Sequence, residues 1–281
     1  MSNRKTARHG VLIVVTLDQA GWRRSTLVML PPPPMLEGVI DFLWMDDRPR
    51  LSPRSHEWRI VADDAPHIIY ARVADGRTGS EGHRLHIVGA RPRYTDVDCR
   101  HRLLTVGARL RPGTMPALLG VPGYELTDRS VPAEWIVRQQ AREAMSRLEF
   151  DAPDQAPAHV ASFIAALVLR GRPMDERARW LADAGARVDG RAAQTMGDIA
   201  REMGFGDRAL RAWSAMHLGL GLKRFLGIRR LHGAVEARLR SPGTAWSRIA
   251  AAAGFADQSH LVRDCRAFLG ESPTEFLART G

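Results

Sequence analysis

The side chains whose types could hold a metal or move a proton fall in the first half of the chain. They are His67, His83, His86 and His101, with the acidic neighbours Asp63 and Asp64 and the pair Asp96 and Asp98. Their spacing argues against a metal centre. A His-x-His pair projects to one face of a strand, whereas His83 and His86 are three apart and project to opposite faces. The histidines therefore read as surface or turn residues, and the four aspartates as turn residues. No glycine-rich phosphate loop, Ser/His/Asp set or Cys/His pairing appears elsewhere in the sequence. The residues thus call for no catalytic site, no metal and no cofactor.

The second half carries chemistry of a different kind, recognition, and it is written twice. DIAREMGFGDRAL (198–210) is echoed by RIAAAAGFADQSHL (248–261). Ile199, Ala200, Gly204, Phe205 and Asp207 recur at Ile249, Ala250, Gly254, Phe255 and Asp257, a constant offset of fifty. An apolar helix, then Gly-Phe, then a polar turn and an amphipathic helix is the pattern of a helix-turn-helix. Gly204 and Gly254 let the backbone turn sharply, and Phe205 and Phe255 plug the angle between the helices. Ile199, Ala200, Leu210, Ile249, Ala250 and Leu261 belong to the core. Two such units in one chain offer two recognition helices to one DNA duplex.

The elements that must position these units can be read along the chain. Short β-rich runs separated by Gly, Pro, Asp and Arg clusters fill residues 1–131: VLIVVTL, STLVML, GVIDFLW, HIIYARV, RLHIVGA and RLLTVGARL. Such a series predicts a β-rich domain, a sandwich or barrel. Pro31–Pro34 cannot donate ladder bonds and should connect strands. Beyond residue 115 a short helix ended by Gly120 precedes a helix over about 132–150. Asp151–Pro157 reads as a linker, followed by helices over 159–170 and about 174–186; residues 132–173 thus connect the β-rich domain to an all-α unit over 174–281. Within that unit helices are expected over 195–203, 207–217, 245–252 and 258–269. Leu222, Phe225, Leu226, Ile228, Leu231, Val235 and Leu239 recur near the helical period and predict one bracing helix between the two units. Ser241-Pro242-Gly243 ends it, and Thr244 is placed to cap the next helix.

At 281 residues the chain is long enough for two domains with separate cores. A net charge of +10 favours an anionic partner. From residue 174 onward 17 basic side chains face 12 acidic ones, so charge alone does not locate the binding end. Cys99 and Cys265, the only cysteines, leave no disulfide framework and suit a reducing cytoplasm. The apolar run 11–17 is too short to span a bilayer, and Thr16, Asp18 and Gln19 argue against a signal peptide.

The C-terminal hundred residues resemble the DNA-binding domain of the AraC/XylS family of transcription regulators. The resemblance is carried by GFADQSHLVRDCRAFLGESPTEF (254–276), in which Gly-Phe leads into the recognition helix and Gly-x-Ser-Pro opens the final helix. The spacing agrees as well, because Gly204 precedes Leu210 by six residues and Gly254 precedes Leu261 by seven. EWRIVADDAPHIIYAR, HIVGARPR and TVGARLRPGTMPALLGVPGYELTDRSVP are similar to the uncharacterised β-rich domain in front of some members. The fold so implied is α+β, a cupin-like β-rich barrel ahead of an all-α domain with two helix-turn-helix motifs joined by a linker helix.

The family resemblance puts Gln258, Ser259, His260 and Arg263 on the groove-facing surface of the second motif, and Arg208 and Arg211 on that of the first. It sets Thr195, Thr244, Ser247 and Arg266 near phosphates. Each arginine also reads as an ordinary solvated charge, and His260 as a local packing residue. Where the family has an aromatic two positions after the recognition-helix arginine, this chain has Ser214 and Cys265. Trp213 is expected to rotate in to supply the missing volume, and Cys265 to be core rather than a redox sensor. Ala212 stands where the family often has arginine. The implied function is sequence-specific DNA binding by a transcription regulator, an activator by family habit. Its implied partners are promoter DNA and RNA polymerase, with room for a small-molecule effector and a homodimer, and no membrane. The competing reading is a small-molecule sensor or cupin-type enzyme with a degenerate DNA-binding half.

Overall fold

The computed structural model describes residues 14–15, 27–47, 57–74, 80–98, 102–187 and 196–280. The β-rich half contains β1 (Val14–Val15), β2 (Leu27–Leu30), β3 (Ile40–Asp47), β4 (Glu57–Ile60), β5 (His67–Ala74), β6 (Glu81–Val88), β7 (Thr95–Asp98), β8 (Arg102–Leu110) and β9 (Ser130–Pro132). Every pairing among the described residues is antiparallel. Six strands form a sheet in the order β2-β3-β8-β5-β6-β9, and β1, β4 and β7 form a second, smaller one. Pro31–Pro33 connect strands as expected, although a single 3-10 turn over Pro34–Leu36 follows them.

Alternation along the central strands gives the large sheet two faces with different tasks. Ile68 and Tyr70 of β5 and Leu104, Val106, Ala108 and Leu110 of β8 point into one core. Phe42, His67 and Arg109 belong to the opposite face, where Arg109 lies over the Phe42 ring. A register shift between Ile40 and Phe42 marks the bulge that turns β3 from one face to the other. Trp44 crosses the strand at Gly107, where a Cβ would lie 2.2 Å from the indole. Glycine is required there by close approach rather than by dihedral angle.

Helices follow: α1 (Met115–Leu119), α2 (Gly123–Leu126), α3 (Arg138–Phe150), α4 (Ala156–Arg170), α5 (Glu176–Arg187), α6 (Met196–Glu202), α7 (Asp207–Leu218), α8 (Leu222–Arg240), α9 (Trp246–Ala252), α10 (Gln258–Leu269) and α11 (Pro273–Thr280). Gly120 ends α1 in the left-handed conformation, φ 68°. The helix expected from 132 starts only at Arg138, because residues 130–132 are drawn into the sheet as β9 beside β6. Asp151–Pro157, expected as a linker, is instead the turn of a helical hairpin. Both arms pack on the sheet: Ala141, Ala144 and Leu148 of α3 and Val160, Phe163, Ile164 and Leu167 of α4 share the core with Ile68, Leu85 and Val106. Tyr70 donates a hydrogen bond to the Leu148 carbonyl at 2.9 Å, fixing the end of α3 to β5. Burial pushes its phenol up to about 12.

A second core holds the helices from α5 to α11 together with three residues of the β-rich half, Val61, Ala62 and Ala90. The chain is thus β-rich first and helical second. Among the described residues no helix is long and apolar enough to cross a membrane.

Candidate nucleic-acid interface

The two helix-turn-helix units are built by the same backbone bonds at an offset of fifty. Phe205 N–H donates to the Ala200 carbonyl at 2.9 Å, and Phe255 N–H to the Ala250 carbonyl at 2.9 Å. Met203 and Ala253 donate to Ile199 and Ile249 at 2.9 and 2.8 Å. The Phe205 and Phe255 bonds are 6→1, and such bonds close a helix only when the residue before the donor takes the left-handed conformation. Gly204 and Gly254 supply it with φ 67° and 76°. The bracing helix α8 then runs between the units, burying Leu222, Phe225, Gly227, Ile228, Leu231, Ala234 and Val235. Leu239, placed on the same stripe by its spacing, is 41% exposed.

Each unit closes its core differently around its atypical residue. Ser214 is 1% exposed, and its hydroxyl donates to the Leu210 carbonyl at 2.6 Å, so the buried polar group is satisfied within its own helix. The aromatic volume comes from Trp213, buried between Phe205 (ring centroids 5.9 Å apart) and His217 (5.1 Å, stacked). Its indole N–H donates to Asp175 at 3.2 Å. Burial lowers the pKa of His217 below the ordinary histidine value, against the opposing pull of Asp175. Cys265 is fully buried and its thiol is pushed up to about 12, first by burial and then by Asp264 and Glu271. A thiol so held has little thiolate to offer an oxidant.

The outer faces carry the residues singled out from sequence. Arg208 and Arg211 are exposed on α7, three residues apart and on one face. Gln258, Ser259, Arg263 and Arg266 are exposed on α10, and Ser259, Arg263 and Arg266 share a face by their spacing. Counted from Leu210 and Leu261, Ala212 occupies in α7 the position of Arg263 in α10, so the two faces are unequal. His260 turns partly inward; its ring meets Phe255 edge-on at 5.3 Å, and its Nε2 lies 3.7 Å from Asp264. Ser247 is exposed in the first turn of α9. Thr195 lies outside the described residues, as do His101 and Cys99.

The helix starts differ from one another. Asp257 caps α10, accepting from the His260 N–H at 2.6 Å. Asp207, its repeat partner, is the first residue of α7 and makes no cap; Gly206 holds that place without a side-chain bond. Thr244 caps nothing, because α9 begins one residue late for it, after Ala245. The Ser272-Pro273 step forms a capping box for α11. There Ser272 N–H donates to the Glu275 carboxylate at 2.7 Å, and Glu275 N–H to the Ser272 hydroxyl at 3.3 Å.

Sequence reasoning missed the joint between the two halves. Asp63 and Asp64, read as turn residues, are buried at 8% and 1% exposure. Arg109 donates to Asp63 at 2.9 Å, to Asp64 at 2.7 Å and to Asp41. Arg229 of α8 donates to the other Asp64 oxygen at 2.5 Å, and Arg111 pairs with Asp183 of α5. Burial would push the Asp63 carboxyl up, but the Arg109 guanidinium and His67, 2.9 Å away, outweigh it. They hold it well below the usual carboxylate range. Burial acts against the Arg109 charge too, and Asp63, Asp64 and Asp41 reverse it, raising its pKa. Apart from His67 and Asp63, four residues apart, no local pattern announces this network, since its arginine–aspartate partners are 45 to 165 residues apart.

Residues 199–279 match a family described as a helix-turn-helix domain, and residues 28–132 match a domain of unknown function, DUF6597. No curated protein matches the chain. Among solved structures, ToxT from Vibrio cholerae is 8% identical, covering 92% of this chain and 99% of its own, with a TM-score of 0.45. An unsaturated fatty acid-bound ToxT from Vibrio cholerae strain SCE256 is 10% identical, covering 92% and 98%, with a TM-score of 0.42.

Proposed function

We propose that this chain, which carries an AraC-type helix-turn-helix domain behind a DUF6597 domain, is a DNA-binding transcription regulator that reads two successive major-groove segments of promoter DNA. The observation that carries the reading is the repeated turn geometry, with polar and basic residues exposed on the second helix of each unit. The major groove admits an α-helix and repeats every ~34 Å along one face of the duplex. Two recognition helices braced by α8 let one monomer read an asymmetric site.

In this reading Arg263 donates two hydrogen bonds to a guanine, and Gln258 makes a paired contact to an adenine. Ser259 and His260 lie at the same end of α10, His260 with its ring partly committed to Phe255. Arg208 and Arg211 face the neighbouring segment. With Ala212 in the place of Arg263, the first unit contributes less base discrimination than the second. Thr244, Ser247 and Arg266 lie toward the phosphates, where hydroxyls and charge fix register rather than sequence. The β-rich half senses a small-molecule effector or pairs two copies, and the regulator acts in the cytoplasm by activating RNA polymerase. A sensor or enzyme with a decayed DNA-binding half would be favoured by disorder around Ser214 and Cys265. Both residues sit instead in closed cores, which supports the regulator.

The test is fluorescence anisotropy on a duplex bearing the bound site, at several salt concentrations. Arg263→Ala should cost about 1–3 kcal/mol and relax preference at one base pair. Arg266→Ala should weaken binding evenly across sequences and reduce the salt slope by about one ion. Equal and merely salt-sensitive losses in both variants would refute base reading by α10.

A further inference from the structure

The two recognition helices end alike. Gly219 closes α7 and Gly270 closes α10, each left-handed with φ 72° and 82°, and each stands nine residues after the matching core leucine, Leu210 or Leu261. Left-handed caps of this kind need only glycine and open space, as at Gly204, where an added Cβ would meet nothing within 4 Å. Gly219 and Gly270 have no such space, and what fills it comes from the β-rich half both times. A Cβ at Gly219 would lie 2.7 Å from the Thr127 hydroxyl and 2.8 Å from the Gly123 carbonyl. A Cβ at Gly270 would lie 2.9 Å from the Tyr94 ring and 3.0 Å from an Arg59 nitrogen.

At Gly219 the contact is bonded as well as close. The Thr127 hydroxyl meets the Gly219 carbonyl and the Gly123 carbonyl, tying α2 to the end of α7. The Arg59 guanidinium stacks on Tyr94 at 4.7 Å and is locked by Asp96 at 2.7 and 3.0 Å, so the surface under Gly270 is stiff. Beside it the Ala62 N–H donates to the Phe268 carbonyl in the last turn of α10, at 2.9 Å. The Ala62 carbonyl in turn accepts from His232 of α8 at 2.8 Å, and Asp64 takes Arg229 of the same helix. One segment of the β-rich half thus holds both the end of α10 and the bracing helix.

We infer that the β-rich half gauges the spacing of the DNA site: by gripping α7 at Gly219 and α10 at Gly270, it fixes the angle and separation of the two recognition helices. Thr127 and Tyr94 are positioning residues in this device and touch no base. Arg208, Arg211, Gln258, Ser259 and Arg263 stay exposed while the grip is closed, so it does not mask the outward faces of α7 and α10. The inference rests on the two-segment reading above. It differs from a device in which α8 alone sets the spacing, since α8 would do so whatever happens at the two caps.

The experiment measures binding of the full chain to duplexes in which the two bound segments are moved apart in single-base-pair steps. Each step rotates one segment by about a tenth of a turn, and the mismatch must be absorbed by bending DNA or protein. The wild-type chain should lose about tenfold for one step from the optimum. The double variant Thr127→Val, Tyr94→Ala should flatten the profile to within about threefold over two steps either side. Thr127→Ser with Tyr94→Phe keeps hydroxyl and ring and should restore the sharp profile. Arg263→Ala should lower every point alike and leave the optimum where it was. A double variant that folds as the wild type and keeps the sharp profile overturns the gauge while sparing the two-segment reading. A wild-type chain that binds no paired segments overturns both.

Discussion

Removing the Trp213 indole should unfasten the first helix-turn-helix unit and leave the second intact. Trp213 is 8% exposed, lies against Phe205 and His217, and donates its N–H to Asp175. Truncating a packed tryptophan to alanine costs about 3–5 kcal/mol, the spread reflecting how far the site can collapse. Here Phe205 is only half-buried, with Arg177 over its ring at 4.6 Å, so partial collapse is open to it. A value near 3 kcal/mol is therefore expected for Trp213→Ala. Trp213→Phe keeps a ring between Phe205 and His217 and loses mainly the bond to Asp175, worth about 1–1.5 kcal/mol. Native-state hydrogen exchange, followed by mass spectrometry over 196–218 and 246–269, reads the two units separately. At 1.4 kcal/mol per tenfold, Trp213→Ala should speed exchange in the first segment by roughly 100-fold and Trp213→Phe by about tenfold. The second segment should not change. The pKa of His217 should also climb back toward its ordinary value in the alanine variant, because the burial that depresses it is gone. If exchange in the first segment moves by less than about fivefold in the alanine variant, Trp213 does not replace the absent aromatic.

Other consequences can be checked separately. Asp257→Ala should lower stability by about 1 kcal/mol in urea denaturation, whereas Asp207→Ala, which removes no cap, should stay within about 0.5 kcal/mol. Cys265, with its thiol near 12 and no exposure, should resist iodoacetamide at pH 8 until the chain is unfolded, as peptide mapping would show. Asp63 has a folded pKa below its unfolded one, so the stability it contributes is complete above the unfolded carboxylate value of about 3.9 and is lost as pH falls through the folded value. Urea midpoints measured from pH 6 down to pH 3 should therefore hold steady above about pH 5 and fall below about pH 4, and Asp63→Asn should blunt that fall. Asp64→Asn leaves Arg109 and the partly buried Arg229 beside a neutral amide and should cost about 3 kcal/mol, read as faster exchange along α8.

What could be read from sequence was local, and what could not was long-range. Ile199, Gly204 and Phe205 meet within two turns, so their recurrence at an offset of fifty carries the turn geometry by itself. The Ser272-Pro273 start of α11 is legible for the same reason. The exchange of Trp213 for the family aromatic followed from one helix face, and the structure places the indole in the core. Asp63 and Asp64 do lie in a turn, where the Asp63 carboxylate accepts from the Ala65 N–H at 3.0 Å, but their burial depends on Arg109 and Arg229, which chain topology alone brings near. The late start of α3 has the same origin, since pairing with β6 overrides the helical pattern at 130–132. Thr244 misses its cap by one residue, within the ordinary uncertainty of a helix boundary. A signal for the joint was nonetheless present: Gly219 and Gly270 recur at equal distance from their leucines.

Selection of bound sequences from random duplex DNA by the full chain, at near-physiological salt and with Arg263→Ala in parallel, bears most directly on the central claim. The account predicts an enriched site with two preferred segments about one helical turn apart, its α10 segment degraded in the variant. Uniform, salt-sensitive binding with no enriched segment would contradict it, leaving only the non-specific attraction of a basic surface.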